Sequence, residues 1–508
     1  MRALTLDGTT VELSLKGLLE ESEQLRMVSG TTPGEVIAFI EFLLGICYAS
    51  KTYPPSTAEW ERWIEKEQPL SAAASWLADQ PDEQWNLFHP TQPLGQNALL
   101  APFLSEHGTG PAQLVIEHAG DYNQFFDHHH LEHPAPLPAA AAFRAMLTQH
   151  VYGLSGRARI SGKGTLGPTI TNLATGRLGG RIRVLAQGRN LGETLRLNLA
   201  PSASPPGPLN LSWTTGDVKR RGFHTKPAGR AVQGPADLHS YLGRSVLLRP
   251  ALVPNDKGKQ DICVDRVLIG AGELLELGPE QHLQDAVFTT TREGKAKPLW
   301  PSGTRAFWRE AHALYAAVTE KRQGLYGRLA GLPTVSQPRP HPYDLWAVGL
   351  VANKTSAVTW VSSAFPFAPG LGPVLYEASQ RGSQIAEHVA RSLDKAAYAA
   401  WEITYPNPKP ADKQKQLARF DARDKHWQAA EEPFHLLLEE VADGEPMEEC
   451  VRDYVRTLTT SAKHFLNKCL DSLPSNDRGH RARSAALHRF DGELTGPRAP
   501  ADLQGTAS

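Results

Sequence analysis

The sequence VLYEASQRGSQIAEHVARSLDKAAYAAWEI, residues 374–403, is typical of one long amphipathic helix and marks a change in the character of the chain. From here onward proline and glycine become scarce, and long amphipathic patterns follow at residues 412–443 and 446–473. A shorter pattern lies at residues 480–490. Because short connections place successive helices antiparallel, we predict a C-terminal four-helix bundle over residues 371–494.

The residues on either side of this region have a different composition. Residues 1–370 mix strand patterns with helical ones: residues 4–15 alternate as in a β-hairpin, and residues 35–49 carry apolar side chains at helical spacing. The sequence therefore predicts an α+β fold, in which a large N-terminal α/β region with a glycine- and arginine-rich loop precedes the bundle. Residues 495–508 are predicted to be a disordered tail.

Composition narrows the class of protein. The 508 residues carry 53 Lys and Arg against 54 Asp and Glu, a net charge of −1, so a uniformly basic protein is excluded, although a basic face balanced by an acidic one is not. No apolar run is long enough to span a bilayer and no secretory signal is visible. Four distant cysteines without a CxxC motif argue against a disulfide framework and are typical of a protein of the reducing cytoplasm.

Motifs for catalysis are weak. Residues 162–167, GKGTLG, match the glycine spacing of a dinucleotide site, but Pro168 follows where a helix should begin. The adjacent histidines His128, His129 and His130 cannot all face one metal ion from a regular element, so a polar loop is the simpler interpretation. No HExxH, GxSxG or protein-kinase motif occurs. The absence of these motifs does not exclude an enzyme, but it lowers the odds of one.

The strongest signal is a basic stretch without acidic residues. Residues 133–192 contain no Asp or Glu and are rich in glycine. Arginine offers forked donors to phosphates, and glycine lets the backbone approach a nucleic acid closely. The stretch predicts binding to a nucleic-acid backbone, with a solvated basic loop as the alternative. Its basic residues are Arg144, Arg157, Arg159, Lys163, Arg177, Arg181, Arg183 and Arg189.

Five segments, in order, resemble motifs of one family. The first is LFHP at residues 87–90 with Pro93 and Gln96, and the second is NQFFDH at residues 123–128. GRNLGETLRLNL at residues 188–199 resembles a strand–helix signature, and residues 285–308 and 349–360 follow two further patterns. Together they resemble CasA, the large subunit of the type I-E CRISPR Cascade surveillance complex.

The resemblance implies a subunit that is not an enzyme and that has no catalytic residues, no metal and no cofactor. Such a subunit reads the protospacer-adjacent motif (PAM) of double-stranded target DNA, helps to open the duplex, and recruits the helicase-nuclease. It also contacts the guide RNA end and other Cascade subunits, and no membrane is involved. Two alternatives stay open: a standalone nucleic-acid-processing enzyme with an unrecognised site, and a protein-binding adaptor.

The resemblance also assigns residues by position. The family's glycine-rich loop, which enters the minor groove, corresponds to Gly162, Gly164, Gly179 and Gly180, and the basic residues Arg177, Arg181 and Arg183 lie beside it in the sequence. The family's lysine finger corresponds to Lys295 and Lys297. Its wedge corresponds to Asn353, Lys354 and Thr355. A loop that meets the guide RNA and other subunits corresponds to Asn123, Phe125 and Phe126. Lys354 stands where the family usually has glutamine, so the wedge is expected to act by charge as well as by insertion.

Overall fold

The computed structural model describes two compact units of the chain. The first contains residues 1–307, 322–328 and 343–364, and the second contains residues 308–321, 329–342 and 365–508. The residues described are 1–118, 135–158, 172–213, 229–255, 258–278, 281, 285–290, 295–336, 338–353, 356–407 and 409–504. Half of the protein is helical and 17% is strand, so the predicted α+β class is confirmed.

The first unit begins with the predicted hairpin. Strands β1 (Arg2–Thr5) and β2 (Thr10–Glu12) pair around Gly8, whose φ of +88° favours glycine, and β3 (Leu25–Val28) completes a sheet of order β2-β1-β3. Its helices are α1 (Leu15–Glu20), α2 (Pro33–Ala49), α3 (Thr57–Glu65), α4 (Ser71–Ala78), α5 (Ala101–His107), α6 (Ala139–Tyr152), α7 (Leu191–Asn198) and α8 (Pro235–Ser240). Short 3-10 turns lie at Asp82–Trp85, Ala98–Leu100, Pro111–Leu114 and Ile116–His118.

Helix α2 is the centre of this unit. Thr32 caps its start by accepting a hydrogen bond from Glu35 N, and Pro33 occupies the first turn, where a missing N–H costs nothing. The helix is buried on nearly every side and packs against α6 and α8. A central position explains why its sequence is apolar all round rather than amphipathic.

Further strands of the first unit form four small sheets. They are β4 (Leu137–Pro138), β5 (Gly156–Arg157), β6 (Asn172–Leu173), β7 (Ile182–Gln187), β8 (Arg244–Pro254), β9 (Gln260–Ala271), β10 (Phe288–Thr290), β11 (Ala296–Pro298), β12 (Tyr343–Asn353) and β13 (Ser356–Phe367). The sheet orders are β4-β9-β8, β5-β6, β10-β11 and β13-β12-β7. In the last of these β7 runs antiparallel to β12, with Ile182 opposite Gly349 and Gln187 opposite Asp344.

The second unit is helical. Its elements are 3-10 turns at Phe307–Glu310 and Pro410–Asp412 and helices α9 (Ala311–Thr319), α10 (Leu325–Gly331, which begins in the first unit), α11 (Gly372–Thr404), α12 (Lys413–Ala418), α13 (Arg423–Ala442), α14 (Met447–Leu470), α15 (Asp477–Thr495) and α16 (Ala501–Gln504). The 33-residue helix α11 packs against α9, α13, α14 and α15. Gly382 of α11 leaves room for the ring of Phe434 on α13.

Two features of the second unit differ from the sequence-based expectation. The unit starts before residue 371, because residues 308–321 and 329–342 belong to it. The tail expected to be disordered carries α16 instead: Leu503 is buried, and Asp502 pairs with Arg381 of α11 at 2.5 Å. A buried leucine and a shared arginine give these residues the contacts that an isolated tail sequence lacks.

Two absences apply to the part of the chain that the structure describes. No helix there is long and apolar enough to cross a membrane. No group of three histidine, cysteine or acidic side chains there is placed to hold a metal ion. The four cysteines are all free, as the sequence predicted.

Candidate nucleic-acid interface

The structure describes part of the set of residues predicted to bind nucleic acid. Seven positions lie outside the described residues: Asn123, Phe125, Phe126, Gly162, Gly164, Lys354 and Thr355. The histidine run at residues 128–130 lies outside them as well. The described positions are Arg177, Gly179, Gly180, Arg181, Arg183, Lys295, Lys297 and Asn353.

Strand β7 brings three predicted segments to one end of a sheet. The glycine turn, residues 176–181, leads directly into Ile182 at the start of β7. Val287, just before β10, donates its N–H to the Ile182 carbonyl at 3.1 Å, so the β10–β11 hairpin with Lys297 starts beside the same residue. On the other side β12 continues four residues past Gly349 to the exposed Asn353.

A cavity of about 460 Å³ opens where these segments meet. Its lining includes Gly179, Gly180 and Arg181 from the glycine turn, Trp300 from the residues after β11, and Leu350 and Ala352 from β12. This volume lies in the range of ordinary ligand pockets. The glycine turn and the end of strand β12, which leads to the predicted wedge residue Asn353, therefore border one cavity.

Backbone geometry requires glycine in this turn. Gly180 has a φ of +69°, and a Cβ added there would clash with the Trp300 ring. A Cβ on Gly179 would clash with the Thr175 side chain. Two adjacent glycines thus give the turn a shape that residues with side chains adopt only at a cost.

Below the turn lies an ion cluster centred on Glu41 of α2. Its carboxylate is ion-paired with Arg177 and, at 2.9 Å, with Nε of Arg183. His239 Nδ1 lies 2.7 Å from Glu41 Oε2, and Asp285 lies 3.3 Å from Nη1 of Arg183. Burial alone would raise the pKa of the Glu41 carboxyl, but the charges of Arg177, Arg183 and His239 hold that pKa well below its ordinary value.

The cluster changes the interpretation of two predicted phosphate-binding arginines. The side chains of Arg177 and Arg183 are 7% and 3% exposed, and both are paired with Glu41. A guanidinium held inside by a carboxylate is not available to a phosphate outside. Arg177 and Arg183 were expected to contact phosphates at the surface. The structure instead places them inside, where they anchor the glycine turn and β7 to helix α2.

Arg181 and the two lysines keep a position suited to an anionic ligand. Arg181 lines the cavity and is half-buried; burial lowers the pKa of its guanidinium and the Asp285 carboxylate opposes that shift. Lys297 on β11 and Lys295 just before it are exposed. These cations lie near the start of β7, at the same end of the sheet as Asn353.

Sequence reasoning missed Trp300, Glu41 and Asp285. Trp300 lies inside a segment quoted for the family resemblance, and its aromatic ring in basic surroundings was a usable signal. Glu41 interrupts an otherwise apolar helix pattern, which indicates a buried charge with a partner. No local signal identifies Asp285 as the partner of Arg183.

One quoted motif proves to be structural. Gln96 is fully buried; its Oε1 accepts a hydrogen bond from Leu248 N at 2.8 Å, and its Nε2 donates to the carbonyls of Leu87 at 2.5 Å and Leu94 at 3.2 Å. The side chain thereby fixes the LFHP segment to strand β8. Gln96 has no free group for nucleic acid.

Comparison with known proteins identifies the family. The family model of CRISPR-associated protein Cse1 matches residues 2–465, so the chain belongs to the Cse1 family. The resemblance to CasA-type large subunits is thereby confirmed. A comparison with curated protein sequences gives no significant match.

Solved structures share the fold across the whole chain. CasA of Thermus thermophilus is 18% identical with a TM-score of 0.73, and the match covers 97% of both chains. Cse1 of Acidimicrobium ferrooxidans is 18% identical with a TM-score of 0.74, over 100% of this chain and 98% of that one. A chain described as a CRISPR RNA-guided surveillance complex is 19% identical with a TM-score of 0.68, over 96% and 97%.

Proposed function

We propose that this chain is the non-catalytic DNA-recognition subunit of an RNA-guided CRISPR surveillance complex of the cytoplasm. In this role it reads the PAM, helps to open the target duplex beside it, and recruits the helicase-nuclease. Membership of the Cse1 family and the fold shared with a chain of a surveillance complex support this assignment. The N-terminal loop at Asn123, Phe125 and Phe126 is assigned to the guide RNA end and neighbouring subunits by resemblance alone.

One observation carries the proposal. The glycine turn, the β10–β11 hairpin with Lys297 and strand β12 come from distant parts of the sequence, yet they meet at one end of the β7–β12 pair. The glycine turn, Trp300 and the end of β12 line a cavity at this end. Backbone N–H groups at a glycine turn and exposed cations are suited to holding a duplex, and the proposed wedge after Asn353 would part its strands.

The helical unit is proposed as the surface for protein partners. Its four long helices, α11, α13, α14 and α15, are assigned to the four-helix bundle that the resemblance implies. The acidic residues between Glu431 and Glu449, at the end of α13 and the start of α14, have a charge opposite to that of the predicted DNA-binding turn. The helicase-nuclease and other Cascade subunits are the partners that this assignment names.

The test uses the complex assembled with guide RNA and duplexes randomised at the PAM. We expect selection of a short sequence beside the target and loss of that selection when the chain is omitted. Co-purification with the products of neighbouring genes and RNA distinguishes the alternatives. A chain that comes out alone and without RNA contradicts the proposal, and partner proteins without DNA binding would indicate an adaptor.

The arginines provide an internal check. Arg181→Ala should lower the slope of log K against log salt by roughly 0.9 for each phosphate of duplex DNA that the arginine neutralises. Arg456→Ala, on an arginine 75% exposed in α14, is the control and should leave the slope unchanged. Arg177→Ala and Arg183→Ala should lower the melting temperature instead, because they leave Glu41 short of a partner. An unchanged slope for Arg181→Ala would remove it from the interface.

A further inference from the structure

Trp300 is exposed to an unusual degree. Its exposure is 63%, and no other Phe, Tyr or Trp side chain among the described residues is exposed this far. Leaving an indole in water forgoes the stabilisation that burial of its large apolar area would give, so an exposed tryptophan at a pocket mouth indicates a ligand surface. The ring lies against Gly180, whose lack of a Cβ makes that approach possible.

The cavity beside Trp300 combines apolar walls with positive charge. Leu154, Leu277 and Leu350 contribute apolar surface, and Arg181 contributes a cation. This cavity of about 460 Å³ is called the Trp300 pocket below. Such a lining favours a ligand with a flat apolar part and an anionic part.

The acidic side chain in the lining of the pocket already has hydrogen-bond partners. Glu273 also lines the pocket, but its Oε2 accepts hydrogen bonds from Arg230 Nη2 at 3.1 Å and from Leu242 N at 3.2 Å. Arg177 also lines the pocket, but its Nη2 is ion-paired with Glu41, so Arg181 is the cation of the lining that is placed to meet an anionic group.

The position of the pocket in the fold narrows the chemical class of its ligand. Ala352 of β12 lines the pocket, and the strand ends one residue later at Asn353, where the proposed wedge begins. A base that leaves the duplex beside this strand end would meet a pocket that the indole also lines. Aromatic side chains bind unpaired bases by stacking, whereas paired bases keep their faces inside the duplex.

We propose that the Trp300 pocket receives one unpaired nucleotide of the opened target, with its base stacked on Trp300 and its phosphate beside Arg181. This inference rests on the proposed function, because opening of the duplex must supply the nucleotide. It adds a site that captures the first opened base and so slows reclosure of the duplex.

The experiment places the fluorescent base 2-aminopurine at the first position beside the PAM, in either strand, of a duplex bound by the complex with its guide RNA. Stacking quenches this fluorophore. With the wild-type chain we expect the fluorescence to be quenched at that position in one strand. With Trp300→Ala we expect the fluorescence to increase and the opened duplex to close about five to a hundred times faster. Trp300→Phe should restore most of the quenching, because it keeps an aromatic face.

Controls separate this site from the proposed function. Leu252→Ala changes an apolar side chain that is 69% exposed on β8 in the same unit and should leave both readouts unchanged. If the wild-type complex never opens a PAM-containing duplex, the proposed function fails. If it opens the duplex normally and Trp300→Ala alters neither quenching nor closing rate, only the nucleotide pocket is refuted.

Two further outcomes also count against the pocket. If Trp300→Ala lowers the affinity for a closed PAM duplex that cannot open as much as for a duplex that opens, Trp300 contacts paired DNA. Tight binding of free dAMP or ATP by the isolated chain, abolished by Trp300→Ala, would mean that the pocket takes a free nucleotide. Weak or absent binding of free dAMP and of ATP supports capture of a nucleotide from the opened strand.

Discussion

Replacing Glu41 by glutamine should destabilise the first unit strongly while leaving its shape almost unchanged. The side chain is 1% exposed, and its two oxygens accept from Arg183, Arg177 and His239. Glutamine removes the charge and puts an NH₂ group where one acceptor was. Arg177 then loses its carboxylate partner, and Arg183 keeps only Asp285.

The magnitude follows from the burial. Breaking a buried ion pair by removing one partner costs about 3–5 kcal/mol, because the remaining charge is left in a poor solvent. A unit of more than 300 residues has an unfolding entropy of roughly 0.7 kcal/mol/K, so the melting temperature should fall by roughly 4–7 °C. Differential scanning calorimetry of the full chain at pH 7 measures this shift.

Three comparisons test the reasoning. Glu12→Gln removes a carboxylate that is 73% exposed and paired with Arg2, and should change the stability by less than about 0.5 kcal/mol. Adding Arg177→Met to Glu41→Gln should recover part of the loss, because one unpaired buried cation is removed. An unchanged melting temperature for Glu41→Gln, or a double variant worse than the sum of its parts, would refute the account.

The pH dependence has a definite sign. The folded pKa of Glu41 lies below its ordinary value of 4.5, so the cluster contributes its full stabilisation above pH 4.5 and loses it as the pH falls through the folded pKa. The difference in stability between wild type and Glu41→Gln should therefore shrink only below about pH 4.5. A difference that shrinks between pH 8 and pH 6 would point to another group.

Three further predictions concern the turn, the helical unit and the wedge. Gly180→Ala should weaken binding of PAM DNA in gel shifts more than Gly258→Ala does. Both glycines have φ near +70°, but only Gly180 has the Trp300 ring beside its Cα. Equal effects of the two substitutions would contradict this prediction. Burial lowers the pKa of His426 to about 4, so the helical unit should lose up to about 3 kcal/mol as the pH falls from 6.5 to 4, and thermal melts of His426→Gln should show a flatter profile. Lys354→Ala should slow opening of paired targets but affect a target with a mismatched bubble beside the PAM much less; equal loss on both would reduce Lys354 to a backbone contact.

The local elements could be predicted from the sequence alone. The segment GRNLGETLRLNL begins directly after strand β7 and contains helix α7, which Asn190 caps by accepting from Glu193 N at 2.8 Å, three residues away. The long C-terminal helices follow from apolar residues at helical spacing. Such features depend on neighbours within one or two turns, so the sequence contains all the information that they need.

Only the tertiary structure decided which charges face outward. Glu41 and its partners Arg177 and Arg183 are 136 and 142 residues apart in the chain, and no local pattern shows that they meet. The same holds for Trp300, which lies against Gly180 across 120 residues of sequence. An arginine-rich stretch indicates positive charge, but whether each guanidinium meets a phosphate outside or a carboxylate inside depends on a distant segment. For this reason the sequence located the candidate interface, and the fold separated Arg181 at its surface from Arg177 and Arg183 beneath it.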